Sequence, residues 1–181
     1  MEKMRAARLH KARELLKVDK DVPVPQIGPD DVLVRIKAAG ICHTDLSICS
    51  STLPPPRLPL ILGHEAAGII EKVGERVDKA KAGDRVCVDP IISCGRCHYC
   101  NIGRENICLK AGSIGFDFDG AWAEYLCVPQ GNVFELPDNI PFDQGAILTD
   151  AVATCFNAMR RGEVKPGDVV AIFGVGGLGI N

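Results

Sequence analysis

Ala66-Ala-Gly-Ile-Ile-Glu-Lys-Val73 is the stretch that decides the fold, and it is not alone. Four similar β-type runs accompany it: Asp31-Val-Leu-Val-Arg-Ile-Lys37, Asp84-Arg-Val-Cys-Val88, Glu124-Tyr-Leu-Cys-Val128 and Val133-Phe-Glu-Leu136. Gly, Pro and Asp punctuate the intervals between them. Regular turn signals between short runs of this kind predict a small, mainly antiparallel barrel over the first 136 residues. Leu53-Pro-Pro-Pro-Arg-Leu-Pro59 has too few backbone donors for regular structure and is expected as a surface loop before the next strand. No internal repeat or low-complexity tract interrupts this pattern.

The character changes after Pro137. Pro141-Phe-Asp-Gln opens a helix, and from Ala151 the apolar positions Val152, Cys155, Phe156 and Met159 follow helical spacing as far as Arg160 and Arg161. Pro166-Gly-Asp168 is a turn leading into Val169-Val-Ala-Ile-Phe173, a continuous apolar run suited to a buried parallel strand. The expected organisation is mainly β with α/β. A β-rich domain occupies residues 1–150, and a linking helix and the start of an α/β unit occupy residues 151–181.

Composition narrows the function classes. A hydrophobic share of 46% with 24% charged residues is ordinary for a soluble globular protein, and no apolar run approaches the length of a membrane span. Residues 1–11 are charged and lack a secretory apolar segment, so a cytoplasmic location is expected. Nine cysteines, an odd count, argue in a reducing compartment for metal ligands and buried thiols over a disulfide framework. The net charge of -2 offers no general attraction to nucleic acid or anionic membranes, which leaves a small molecule as the expected partner.

Cys94-Gly-Arg-Cys97-His-Tyr-Cys100 followed by Cys108 places four thiols close enough in sequence to surround one ion. Zinc takes four thiolates tetrahedrally, and an all-sulfur shell leaves no position for substrate, so this zinc is structural. Bacterial iron-sulfur proteins share CxxCxxC but place the fourth cysteine three residues on and follow it with proline, whereas Leu109 follows Cys108. His98 lies inside the cluster and is expected to be exposed, the shell being complete without it.

A second, dispersed set has the composition of an open zinc site. Cys42-His-Thr-Asp45 follows one strand and Gly63-His64-Glu65 precedes another. A catalytic zinc needs three protein ligands and one free position, and the third ligand can be remote in sequence. Asp150, in Leu148-Thr-Asp-Ala-Val-Ala-Thr154, is the acidic residue nominated, with Glu65 as its competitor. Finally, Gly174-Val-Gly176-Gly177-Leu-Gly179 follows the apolar run 169–173 and has the strand context that a GxGxxG phosphate-binding turn requires.

Taken in chain order, Cys42-His-Thr-Asp45, Gly63-His-Glu65, the four-cysteine lobe, Asp150 and the glycine turn resemble the zinc-dependent medium-chain alcohol dehydrogenases across the whole chain. The resemblance implies a GroES-like β-barrel catalytic domain carrying both zinc ions. It is followed by the first strand and glycine turn of a truncated Rossmann domain, with Gly174, Gly176, Gly177 and Gly179 at the phosphates of NAD or NADP. It further implies oxidation of a small alcohol to an aldehyde or ketone by a homo-oligomer. Cys42, His64 and Asp150 look like the catalytic zinc ligands, and Glu65 like the glutamate that approaches the metal during ligand exchange. Thr44 looks like the hydroxyl that takes the substrate proton, Asp45 like the carboxylate orienting His64, and His43 like a basic group near the cofactor phosphates. Ser47 departs from members that place a histidine there to pass the proton to solvent. Asp89-Pro90 and a carboxylate third ligand lean toward the polyol or secondary-alcohol branches. Two other readings compete: a zinc-binding nucleic-acid module, against which the sparse cations around the lobe speak, and a fragment that binds zinc without turnover.

Overall fold

The computed structural model describes residues 2–181. Its elements run β1 (Lys3–Leu9), β2 (Lys17–Pro23), β3 (Asp31–Ala39), α1 (His43–Cys49), β4 (Leu60–Ile61), β5 (Ala66–Val73), β6 (Arg85–Val88), β7 (Ile91–Ile92), α2 (His98–Asn101), β8 (Gly112–Ser113), β9 (Tyr125–Pro129), β10 (Val133–Glu135), α3 (Phe142–Ala146) and α4 (Ala153–Arg161). The five runs singled out in the sequence are β3, β5, β6, β9 and β10. They form one antiparallel sheet in the order β10-β6-β5-β3-β9, with β5 at its centre.

Cross-strand register explains why these runs pair. Val32 and Val34 of β3 stand opposite Val128 and Leu126 of β9, Val34 also opposes Ile70 of β5, and Ala66 of β5 opposes Val88 of β6. These side chains point inward and, with Val86, Ile114 and Ala121, form the main buried cluster. Successive strand residues face opposite sides, so Ala67 and its partner Cys87 point outward. There Leu136 and Ala146 cover them, bringing α3 onto the back of the sheet.

The barrel curls without closing. A second sheet, β2-β1-β4, meets the first at a bridge between Ala6 and Ala123, supported by Ala7 N–H to the Trp122 carbonyl at 2.8 Å and Glu124 N–H to the Arg5 carbonyl at 3.1 Å. β1 inserts Met4, Ala6 and Leu9 into the interior. β2, Lys-Val-Asp-Lys-Asp-Val-Pro, is charged and largely exposed, and it is a strand because β1 pairs with it. Residues 53–59 form the expected irregular loop.

Beyond β10 the chain turns helical through α3, a π-helical turn at Leu148–Val152, and α4. α4 forms where the apolar spacing predicts it, yet none of its residues is buried and Phe156 and Met159 stay exposed. The run 169–173 departs from the buried parallel strand expected of it. It pairs with no strand among the described residues, and Val169 and Phe173 are almost fully exposed. A strand exists only through ladder hydrogen bonds to a neighbour, and no described segment lies beside this run to supply them. No helix is long and apolar enough to cross a membrane among the described residues.

Candidate metal centre

Three separate segments deliver the dispersed donors to one end of the central sheet. Cys42 caps the N-terminus of α1 just after β3, His64 precedes β5, and Asp150 sits in the π-helical turn after α3. The Cys42 Sγ, one His64 ring nitrogen and an Asp150 carboxylate oxygen all lie within 4.8 Å of one another. His64 Nε2 is 3.2 Å from Asp150 Oδ2, and its Nδ1 is 3.6 Å from Asp45 Oδ1. Asp45 is fully buried and fastens two of the segments together: Oδ2 accepts the Cys42 N–H at 2.9 Å and Oδ1 the Gly63 N–H at 3.1 Å. A buried carboxylate satisfied by backbone donors is a strong anchor, because each charge-assisted bond is stronger than a neutral one.

The cluster lies between two clefts. One, of about 380 Å³, is lined by Thr44, Ile48, His64, Asp89, Asp150 and Thr154 among others. The other, of about 440 Å³, is lined by Cys42, His43, Glu65, Asp150, Gly177 and Leu178 among others. Adjacent residues of α1 thus open onto opposite clefts, Thr44 onto the first and His43 onto the second. Of the four glycines singled out in the terminal turn, Gly177 alone lines the second cleft; Gly174, Gly176 and Gly179 lie outside its wall. The turn is tied back to α4 by Cys155 Sγ, which donates to the Leu178 carbonyl at 2.8 Å.

The four-cysteine lobe is built differently. β7 and β8 pair at its base, and Cys94, Cys97, Cys100 and Cys108 converge within 4.8 Å across a single short stretch of chain. Cys97 Sγ lies 3.5 Å from Cys100 Sγ and 3.8 Å from Cys108 Sγ, while the N–H groups of Cys94 and Lys110 point at Cys108 Sγ from 3.3 and 3.4 Å. His98 is exposed, as its redundancy in the shell predicts.

With both clusters in view, the kinship of the chain follows. Residues 28–138 match the alcohol dehydrogenase GroES-like domain family. The chain belongs to that family. It is 43% identical over 178 residues to an alcohol dehydrogenase of Geobacillus stearothermophilus, a match covering 97% of this chain and 52% of that enzyme. It is 36% identical over 180 residues to an NAD-dependent alcohol dehydrogenase of Sulfolobus acidocaldarius, covering 96% of this chain and 52% of the relative. The cobalt- and zinc-bound thermostable alcohol dehydrogenase of Pyrobaculum aerophilum superposes with a TM-score of 0.91 at 32% identity, over 99% of this chain and 55% of that one. The chain spans about half the length of these relatives.

Carboxylates dominate the electrostatics of the dispersed cluster in this GroES-like domain. Burial opposes the charged form of His64, but hydrogen bonds to Asp150 and Asp45 outweigh it and lift its pKa to about 11 in the metal-free protein. The His64 hydrogen bond in turn holds the Asp150 pKa below its ordinary value against the effect of burial. Glu65 moves the other way, raised by burial and then by the Asp150 charge, and its carboxylate packs over Gly40, where an added Cβ would fall 1.9 Å from Oε2. In the lobe, N–H groups of Cys100 and Leu109 pull the Cys97 pKa down to about 6, whereas burial pushes Cys100 up to about 11.

Two residues beside Asp150 escape sequence reading. Thr149 Oγ1 donates to the Val88 carbonyl at the end of β6 at 2.7 Å, and Thr154 Oγ1 donates to Asp150 Oδ1 at 3.4 Å. Their hydroxyls are visible one before and four after Asp150. Where they point depends on the π-helical turn, in which Val152 N–H reaches the Ile147 carbonyl at 3.1 Å. Such turns cluster at functional sites.

Proposed function

We propose that this chain carries the metal-binding and alcohol-binding half of a zinc-dependent, NAD(P)-linked alcohol dehydrogenase. The observation that carries the reading is the convergence of one thiol, one imidazole and one carboxylate, from three segments, on a point between two clefts. That donor set suits zinc with an open position, whereas four thiolates suit a closed structural site. Cys42, His64 and Asp150 would hold the catalytic ion and the four lobe cysteines the second. Glu65 stands beside the first, held back over Gly40.

When bound, the metal supplies Lewis acidity that lowers the pKa of an alcohol hydroxyl toward neutrality. The nicotinamide supplies the hydride acceptor. The chain's own residues do the rest. Thr44 offers a hydroxyl in the first cleft to take the substrate proton, and Asp45 keeps the imidazole of His64 in one orientation. His43 and Gly177 present the second cleft to the cofactor. In an enzyme of the relatives' length bearing this sequence, Cys42→Ala or His64→Ala should abolish alcohol-dependent NADH formation. Wild-type activity in either variant would refute the assignment.

A second reading rests on the unpaired, exposed run 169–173. A dinucleotide site needs several parallel strands with helices on both faces. The 181-residue chain alone is therefore expected to bind zinc without turnover. Fluorescence titration with NADH should show weak or no binding, and micromolar affinity would refute this second reading.

A further inference from the structure

The side chain of Trp122 lies between the backbone segments that carry Cys42 and His64. Its indole Nε1 donates to the Gly40 carbonyl at 3.0 Å, two residues ahead of Cys42. Its ring edge lies against Gly63, the residue just ahead of His64: a Cβ there would fall 2.4 Å from ring Cδ1 and 2.6 Å from Nε1. Gly63 has φ +89, so only glycine meets both the backbone and the spatial demand without strain. The Trp122 backbone is held by its N–H to the Leu62 carbonyl at 3.0 Å and by its carbonyl, which accepts the Ala7 N–H at 2.8 Å, while the side chain packs against the Leu9–Ile48–Leu60–Leu62 cluster. Asp45 binds the same two segments through the N–H groups of Cys42 and Gly63. The carboxylate draws the segments together, and the indole sets how close they come.

We infer that Trp122 is a positioning residue for the dispersed metal site: it sets the separation of Cys42 and His64, and its indole senses whether a metal is held between them. The inference rests on the proposed ligation by Cys42, His64 and Asp150. It needs no contact between the indole and the ion. Residues that orient metal ligands typically change affinity by about 10–100-fold when replaced, whereas a merely structural aromatic would lower thermal stability and leave affinity alone.

The test uses the 181-residue chain and its only tryptophan. Cobalt(II) affinity at each site is measured by chelator competition in wild type, Trp122→Phe and Trp122→Leu. The expected result is at least about 10-fold weaker binding at the dispersed site in Trp122→Leu, with partial recovery in Trp122→Phe and an unchanged lobe. Unchanged affinity at the dispersed site, or equal weakening of both sites, overturns the inference. Should the variants not fold, the single indole N–H resonance of the wild type still decides: it should shift when the second equivalent of zinc binds, and in Cys42→Ala it should not. A resonance that stays put while a second ion binds also overturns it. Binding of only one ion by the wild type would instead defeat the ligand assignment beneath it.

Discussion

The two cysteine-containing clusters contrast in how the chain assembles them. The lobe draws its donors from positions 94 to 108, closed at the base by the β7–β8 ribbon, so a single loop brings them together. The dispersed cluster draws on positions 42, 64 and 150, and exists only when β3, β5 and the turn after α3 are in place. A local site needs only its own loop in place, and here that loop alone puts all four sulfurs within 4.8 Å of one another. A dispersed site is formed by the fold, which aligns the donors before any ion arrives. The difference also fits the proposed division of labour, in which four thiols in the lobe would close a shell while the dispersed cluster opens onto two clefts.

The largest effect should come from the lobe. Structural zinc contributes on the order of 10 kcal/mol to folding in small zinc modules. Cys97→Ser should therefore release that ion and expose residues 94–110 to rapid hydrogen exchange, with the five-stranded sheet still protected. Loss of protection throughout the sheet would break the contrast. Next comes Asp45→Ala. It leaves the Cys42 and Gly63 N–H groups without their buried acceptor and should cost about 3 kcal/mol in denaturant unfolding. Zinc affinity should fall at the dispersed site and not at the lobe.

Thr149→Val should cost about 1 kcal/mol, because the Val88 carbonyl loses a donor while the side-chain volume is kept. It should loosen the dispersed site alone, with Thr149→Ser restoring it. Last, the metal-free chain should show a pH signature of His64. Its folded pKa is raised from 6.5 to about 11, against burial, by Asp150 and Asp45. The stabilisation is thus complete below pH 6.5 and lost as pH rises through about 11. Asp150→Asn should shrink that alkaline loss. An NMR titration of the imidazole that finds an ordinary pKa in the metal-free wild type would contradict the geometry.

The same contrast governs what could be read from the residues. The central sheet was legible because β3, β5, β6, β9 and β10 carry enough apolar and β-branched side chains to mark both faces. β2 was not, since Lys17 to Pro23 is charged and its strand character comes from pairing with β1. The lobe was legible from spacing alone. Asp150 could be named only as an acidic residue at a helix opening, with Glu65 in competition, because the π-helical turn that aims it leaves no sequence periodicity. Trp122 reads as an ordinary aromatic until its contacts with Gly40 and Gly63 are seen. The run 169–173 shows the converse: apolar continuity states a preference for burial, and only a neighbouring strand can realise it.

Metal content of the purified 181-residue chain, measured by mass spectrometry with the Cys42→Ala and Cys97→Ser variants alongside, tests the account most directly. Two zinc ions per wild-type chain and one in each variant, the dispersed ion lost in the first and the lobe ion in the second, is the predicted result. A single ion in the wild type that survives Cys42→Ala, or iron in the lobe, would contradict it.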